Sequence, residues 1–336
     1  MTTQKNTSKT LVSIIIPVKE INDYLREETI PAILKQTYQN FEIIILPNKK
    51  SGEKFSKTKI VSTWPKIGPA NKRDIGAREA RGDVLAFLDD DSYPDKNWLE
   101  KAISIFNHQI AAVCGPSLTP ASDNIYQKIS GYVWSTWLGS GGAGTYRCAV
   151  GSRREVDDYP TVNFLVKKKD FMMVGGFDSH FWPGEDTKLC CNLVYKLGKK
   201  IIYDPEVLVY HHRREIFIPH LKQISRYAIH RGHFARILPK TSLRLGYLMP
   251  TLFVLGLVTG FFLSLINPFM KIIYLTALGM YLSALFLTCF QIFLKERSFK
   301  IALLTIPSIF MTHLVYGILF IKGFLTKDLK SNTSKV

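Results

Sequence analysis

Three consecutive carboxylates, Asp89-Asp90-Asp91, end the apolar run Val84 to Leu88. Carboxylates crowded in this way repel one another unless something positive arrives. In a parallel α/β sheet, the carboxyl end of a strand is where ligands bind. Hard oxygen ligands favour Mg2+ or Mn2+, which bind through one or two carboxylates together with substrate phosphates. Taken alone, the triplet also reads as a solvated acidic turn leading into the next helix. The surrounding elements and motifs separate the two readings.

Those elements alternate. Leu11 to Pro17 and Phe41 to Leu46 are β-branched apolar runs that fit buried parallel strands. A helix is expected around Tyr24 to Lys35, another over Ala70 to Arg81, and a third over Trp98 to Phe106. The lysine-rich stretch Lys49 to Lys59 reads as a mobile loop, and Ala111 to Cys114 as a further strand. Ser117 to Pro160 is irregular. Its run Gly139 to Gly144 lacks P-loop spacing and a following Lys, so a mobile lid is expected rather than a phosphate cradle. Order resumes with Thr161 to Val166, a helix from Glu185 to Leu197 and a strand over Lys200 to Tyr203. Alternating strands and helices predict an α/β domain with a mostly parallel, Rossmann-like sheet.

The C-terminal third is different. Gly246 to Ile266, Ile272 to Leu294 and Ile301 to Ile321 are mostly apolar and long enough to cross a bilayer as helices. No polar face is evident on any of them, which argues against buried helices of a soluble bundle. The chain carries 44 Lys and Arg against 27 Asp and Glu, a net charge of +17. The excess falls beside the apolar segments, and no nucleic-acid-reading motif accompanies it, so the expected partner is a membrane surface. Between Leu221 and Lys240 a helical projection sets Lys222, Arg226, His230, His233, Arg236 and Lys240 on one face. Leu221, Ile224, Tyr227, Ala228, Phe234, Ala235 and Leu238 fall on the other, as in an interfacial helix drawn to acidic headgroups. The polar first ten residues show no signal-peptide pattern. Five cysteines without C-x-x-C spacing read as reduced thiols. The expected organisation is a polar tail (1–10), a catalytic domain (11–215), an interfacial helix region (216–244), transmembrane helices (245–322) and a basic tail (323–336).

Four segments then fall in a telling order. They are Ser13 to Glu20, Gly68 to Gly76, the Asp89 triplet with Pro94 and Trp98-Leu99, and a last set. That set is Gly175-Gly176-Phe177-Asp178, Gly184-Glu185-Asp186 and Tyr210-His211-His212-Arg213. Together they resemble a family 2 glycosyltransferase of GT-A fold over roughly residues 11 to 214. The resemblance implies a nucleotide-sugar donor and a Mg2+ or Mn2+ ion on the D-x-D carboxylates. Asp91 is then the direct metal ligand, with Asp89 and His211 beside it, and Asp89 and Asp90 reach toward the ribose. A structural contact is the plainer reading of His211. Asp186 matches the family's general base and Glu185 its neighbour, although acids also suit a helix start. Arg73, Pro17 and Glu20 match positions near the nucleotide. Where the family carries an Asp after the second strand, this chain has Asn48, and a UDP-sugar is the expected donor. Gln223-Ile224-Ser225-Arg226-Tyr227 resembles a Q-x-x-R-W signature with Tyr for Trp. It implies acceptor contacts from Gln223 and Tyr227 and a diphosphate contact from Arg226; a lipid-facing charge is the plainer reading of Arg226. Trp134 and Trp137, in the irregular region, are further acceptor candidates.

The expectation is an inverting glycosyltransferase in the cell membrane, multi-pass, with a cytosolic catalytic domain and a lipid-linked or glycan acceptor. One alternative is a processive polysaccharide synthase, for which three spans are few without a homo-oligomer or a partner. Another is a non-catalytic nucleotide-sugar-binding protein. The basic loop Lys295 to Lys300 is expected on the cytosolic side. A third crossing would then put Lys322, Lys327, Lys330 and Lys335 outside, against the positive-inside tendency, unless the last segment is re-entrant.

Overall fold

The computed structural model describes residues 10–142, 144–177, 179–181 and 183–329. Residues 1–9 and 330–336 of the two tails, and Asp178 of the fourth motif, lie outside the described residues. The chain folds as two units, one made of the stretches up to 118 and 150–211, the other of 119–149 and 212–329.

The first unit is built on strands β1 (Val12–Pro17), β2 (Phe41–Leu46), β3 (Thr58–Ile60), β4 (Val84–Phe87), β5 (Ser92–Pro94), β6 (Ile110–Cys114) and β7 (Ser117–Leu118). Strands β8 (Arg154–Val156), β9 (Phe164–Lys167), β10 (Lys200–Tyr203) and β11 (Val209–His211) complete it. Eight of these form one sheet in the order β3-β2-β1-β4-β9-β6-β10-β8. β1 pairs in parallel with β2 and β4, β2 with β3, and β6 with β10. β9 is inserted antiparallel between β4 and β6, and β8 closes the far edge antiparallel. The expected mostly parallel, Rossmann-like sheet is therefore present. Its β-branched strands are buried because helices cover them: α1 (Ile30–Leu34), α2 (Pro69–Glu79), α3 (Trp98–Ile105), α7 (Lys168–Met173) and α8 (Glu185–Cys191). Chain-order numbers α4–α6 belong to the second unit. The first expected helix begins as a wider π-turn over Leu25–Thr29 before α1. The end of the lysine-rich stretch is not loop, since β3 pairs with β2 there.

The second unit is helical. It holds α4 (Ile125–Ser135), α5 (Trp137–Ser140) and α6 (Thr145–Cys148), then α9 (Ile218–Ile237), α10 (Pro239–Ser242), α11 (Leu245–Ile266), α12 (Pro268–Glu296) and α13 (Phe299–Leu325). The stretch Ser117 to Pro160, read as irregular, therefore contains a regular helix, α4. α4 starts at a capping box in which the Asn124 side chain accepts from Gln127 N while Gln127 accepts from Asn124 N. Its apolar side, Ile129, Tyr132 and Val133, is buried with Leu285, Ile292, Ile301 and Ile309 of the C-terminal helices. That packing moves 119–149 out of the domain expected to end at 215. Helices α11, α12 and α13 are long and apolar enough to cross a membrane. On α9, His233 is buried rather than part of an open polar face, while Lys222, Arg226 and Arg236 are exposed as expected.

Candidate active site

β4 delivers the acidic triplet, and the turn after it is tight: Ser92 N and Oγ both donate to Asp89 O, at 3.2 and 2.8 Å. That turn starts β5, which pairs antiparallel with β11 so that His211 lies opposite Ser92. The register brings His211 Nε2 to 3.2 Å from Asp91 Oδ1. One ligand atom from each of Asp89, Asp91 and His211 lies within 4.8 Å of the others, and all three side chains are half-buried. Two carboxylates and an imidazole, converging and reachable, fit a divalent cation of the Mg2+ or Mn2+ class, the imidazole favouring Mn2+.

The triplet is wired to the second acidic group through Arg73. This guanidinium, only 5% exposed on α2, donates from Nη2 to Asp89 Oδ1 at 2.6 Å and from Nη1 to Glu185 Oε1 at 3.2 Å. Its carbon lies 5.9 Å from the centre of the Phe177 ring. Phe177 is set by the preceding pair Gly175-Gly176, whose φ values of +89° and +73° are open to glycine and strained for other residues. Asp74 Oδ1, one residue from Arg73, accepts from Phe177 N at 2.9 Å and fixes that turn to α2. Glu185 is buried at the start of α8. Burial, helped by the adjacent Asp186 charge, pushes its carboxyl up to about 7, with Arg73 opposing. Beneath the pair, Thr187 Oγ1 donates to the buried Asp158 at 2.7 Å and Thr187 N to Asp186 Oδ1 at 2.7 Å.

A family model, Glycosyl transferase family 2, matches residues 13–171, from the first strand through the acidic triplet to α7. The chain carries a family 2 glycosyltransferase domain. It is 28% identical over 151 residues to the pre-mycofactocin glycosyltransferase of Mycobacterium tuberculosis, a match covering 44% of this chain and 30% of that protein. It is 22% identical over 223 residues to the glucosyl-dolichyl phosphate glucuronosyltransferase of Haloferax volcanii, covering 60% of this chain and 68% of the relative. Among solved structures, the mannosyltransferase PcManGT from Pyrobaculum calidifontis, in complex with GDP-Man and Mn2+, superposes with a TM-score of 0.55 at 17% identity. That match covers 94% of this chain and 88% of the other, and it shows the GT-A fold.

Within the glycosyltransferase domain the expected nucleotide side lies at the ends of β1 and β2. Pro17 closes β1 opposite Leu46, Glu20 is exposed just beyond, and Asn48 N donates to Lys19 O at 3.1 Å. Asn48 Oδ1 is buried without a hydrogen bond. Asp90 is held by Asn22, whose Nδ2 donates to Oδ2 at 2.6 Å. Lys72 is buried on α2, where its Nζ donates to Val18 O at 2.5 Å. Burial pushes that ammonium down to about 8, the nearby Asp90 charge opposing. Asn22, Lys72 and Asp158 were not singled out in the sequence. Lys72 had a signal, since it stands inside the segment Gly68 to Gly76, next to Arg73. Asn22 and Asp158 had none.

The acceptor candidates all fall in the helical unit. Trp134 meets Tyr227 edge-on at 6.1 Å and tilts against His220 at 5.8 Å, and Gln223 Nε2 donates to Tyr227 OH at 3.2 Å. Trp134, Gln223 and Tyr227 are thus brought together. Trp137 is 73% exposed on α5, and Arg226 is exposed on α9.

Proposed function

We propose that this chain is a membrane-anchored, inverting glycosyltransferase that moves a sugar from a nucleotide-sugar donor to a lipid-linked or glycan acceptor. The observation that carries the reading is the Arg73 bridge, which joins the Asp89–Asp91–His211 group to Glu185-Asp186 as one site. A divalent cation on Asp91, Asp89 and His211 would supply Lewis-acid neutralisation of the donor's diphosphate. Asp186 takes the proton of the acceptor hydroxyl. The freed oxygen bonds to the anomeric carbon as the bond from that carbon to the phosphate oxygen breaks. The nucleoside diphosphate leaves with the bonding electrons, and the anomeric configuration inverts. Glu185, fixed by Arg73, positions the start of α8 and with it Asp186. Pro17, Glu20, Asn48 and Asp90 line the nucleotide, and the Trp134–Tyr227–Gln223 group, with Trp137, meets the acceptor. One relative named for a dolichyl phosphate acceptor and a solved neighbour holding GDP-Man support a lipid-linked acceptor and widen the donor beyond UDP.

The test is turnover of UDP- and GDP-sugars by detergent-purified protein, with Mn2+ or Mg2+ and a panel of isoprenoid-phosphate and glycolipid acceptors. Expected are metal-dependent release of nucleoside diphosphate and a glycosylated lipid, both abolished by a chelator. Asp186→Asn should lower turnover by about 10²–10⁴-fold while donor affinity persists. Equal turnover in that variant would remove Asp186 as the base. Donor binding without transfer across the panel would favour the non-catalytic reading.

A further inference from the structure

Two tryptophans of the first unit stand in contrast. Trp98 is wholly buried, and its Nε1 donates to Asn163 Oδ1 at 2.9 Å, as a core indole does. Trp64 is instead 71% exposed, the most of any large apolar side chain described in that unit. It stands in the loop 61–68 between β3 and α2, outside the four segments that carry the family resemblance.

The backbone fixes where that indole is presented. Beyond β3 the chain continues along β2: Val61 N donates to Ile45 O and Thr63 N to Pro47 O, both at 2.9 Å. The buried Thr63 adds a second bond, from Oγ1 to Pro47 O at 3.0 Å. Trp64 therefore leaves the sheet at the carboxyl ends of β2 and β3, beside Asn48. That end of a parallel sheet is where ligands bind. Pro65 and Pro69 fix two φ angles on the way into α2, so the segment that carries the ring is stiff. Lys66 comes near enough to Lys72 for its charge to act there: burial pushes the Lys72 ammonium down to about 8, Lys66 adds to the fall, and Asp90 opposes it. Lys72 Nζ is itself tied to Val18 O, just past β1. The loop thus runs from the end of β2 toward the end of β1, along the expected nucleotide side.

Asn48 Oδ1, in the same place, is buried without a hydrogen bond. A buried acceptor of this kind costs free energy until a donor reaches it. A nucleobase meets both needs at once. Its face stacks on an indole, and the N3–H of uracil or the N1–H of guanine is a donor on its edge. A lipid-facing indole would account for the exposure of Trp64 but not for the acceptor beside it. We propose that Trp64 is the wall on which the donor's nucleobase stacks, while Asn48 accepts from the edge of the same base. This role rests on the glycosyltransferase reading and adds to it a side chain that no motif names. Stacking is tolerant of base identity, since every base has a π face, so UDP and GDP depend on Trp64 alike.

Titration calorimetry of the detergent-purified full chain with UDP, GDP and inorganic pyrophosphate, each with Mn2+, tests this. Trp64→Ala should weaken UDP and GDP by about 5–150-fold, the range for loss of one base–aromatic stack, and leave pyrophosphate unchanged. Trp64→Phe should recover most of the loss, and neither change to so exposed a side chain should shift the unfolding temperature. UDP should also quench part of the tryptophan emission, and that part should be missing from Trp64→Phe. UDP and GDP bound by Trp64→Ala as tightly as by the wild type would overturn the stacking role and leave the donor reading standing. An equal loss for pyrophosphate would overturn it too, because a wall for the base has nothing to hold in a ligand without one. Wild-type protein that binds neither nucleotide would sink the glycosyltransferase reading, and the role of Trp64 with it.

Discussion

Arg73 is the side chain on which both acidic groups depend, and Glu185 is where that dependence can be read. With its carboxyl pushed up to about 7, Glu185 holds a proton in the fold that it would release in the unfolded chain above its ordinary value of 4.5. The native state therefore binds more protons than the unfolded state between these values, and the associated stability is lost as pH rises through about 7. A shift of this size corresponds to roughly 3 kcal/mol. Unfolding temperatures of the purified protein and Glu185→Gln, compared from pH 5 to pH 8, should diverge in favour of the variant as pH rises. Parallel curves would mean that Arg73 keeps Glu185 ionised throughout. At this scale the sequence was informative wherever a motif carries its own chemistry. Asp89, Asp91, Arg73, Glu185 and His211 stand in segments that name them, and the structure brings them together. Asn22 and Asp158 act through contacts made across 68 and 29 residues of chain, to Asp90 and Thr187, and no local pattern announces a partner that distant.

Elements were legible where they were long. The β-branched bodies of β1, β2 and β4 declare themselves, but β5 and β11 are three residues each, too short for any alternation to show. These two set the position of His211, so the motif predicted the residue while the element that places it was invisible. α4 was missed for another reason: its aromatic content and internal Gly131 blur the helical period, and its capping box is the signal that identifies it. α9 and α13 meet at two glycines, where a Cβ on Gly232 would sit 2.1 Å from Phe320 O and one on Gly323 2.0 Å from Ile229 O, backbone atoms that cannot yield. Gly323→Leu and Gly232→Leu should each force the helices apart, at a cost of about 1–3 kcal/mol or more for overpacking. The readout is a lowered unfolding temperature in detergent, with Gly279→Leu as control, since a Cβ there meets nothing within 4 Å. Unchanged stability in both variants would show that the contact is loose.

At the scale of the whole molecule the surprise is where the chain divides. Reading the sequence puts a boundary at 215, after the last motif, because apolar character rises only beyond it. The structure instead gives residues 119–149 to the helical unit, through the face of α4 that buries Ile129 and Val133 against α12 and α13. Composition cannot show this, since an apolar helix face reads alike whether its partner is a sheet or a distant helix. The division predicts how a truncation behaves. A fragment ending at 215 keeps its sheet core yet leaves α4 with its apolar face in water, an exposed patch of the kind that drives association. Expressed without the C-terminal helices, it should aggregate or stay bound to membranes. Ile129→Lys with Val133→Glu should release it as a soluble monomer by size-exclusion chromatography. The same two changes in the full chain should lower its unfolding temperature, because there they place charges in a packed interface. A fragment that is monomeric without them would mean that α4 finds cover within the first 215 residues, and the boundary read from the sequence would stand.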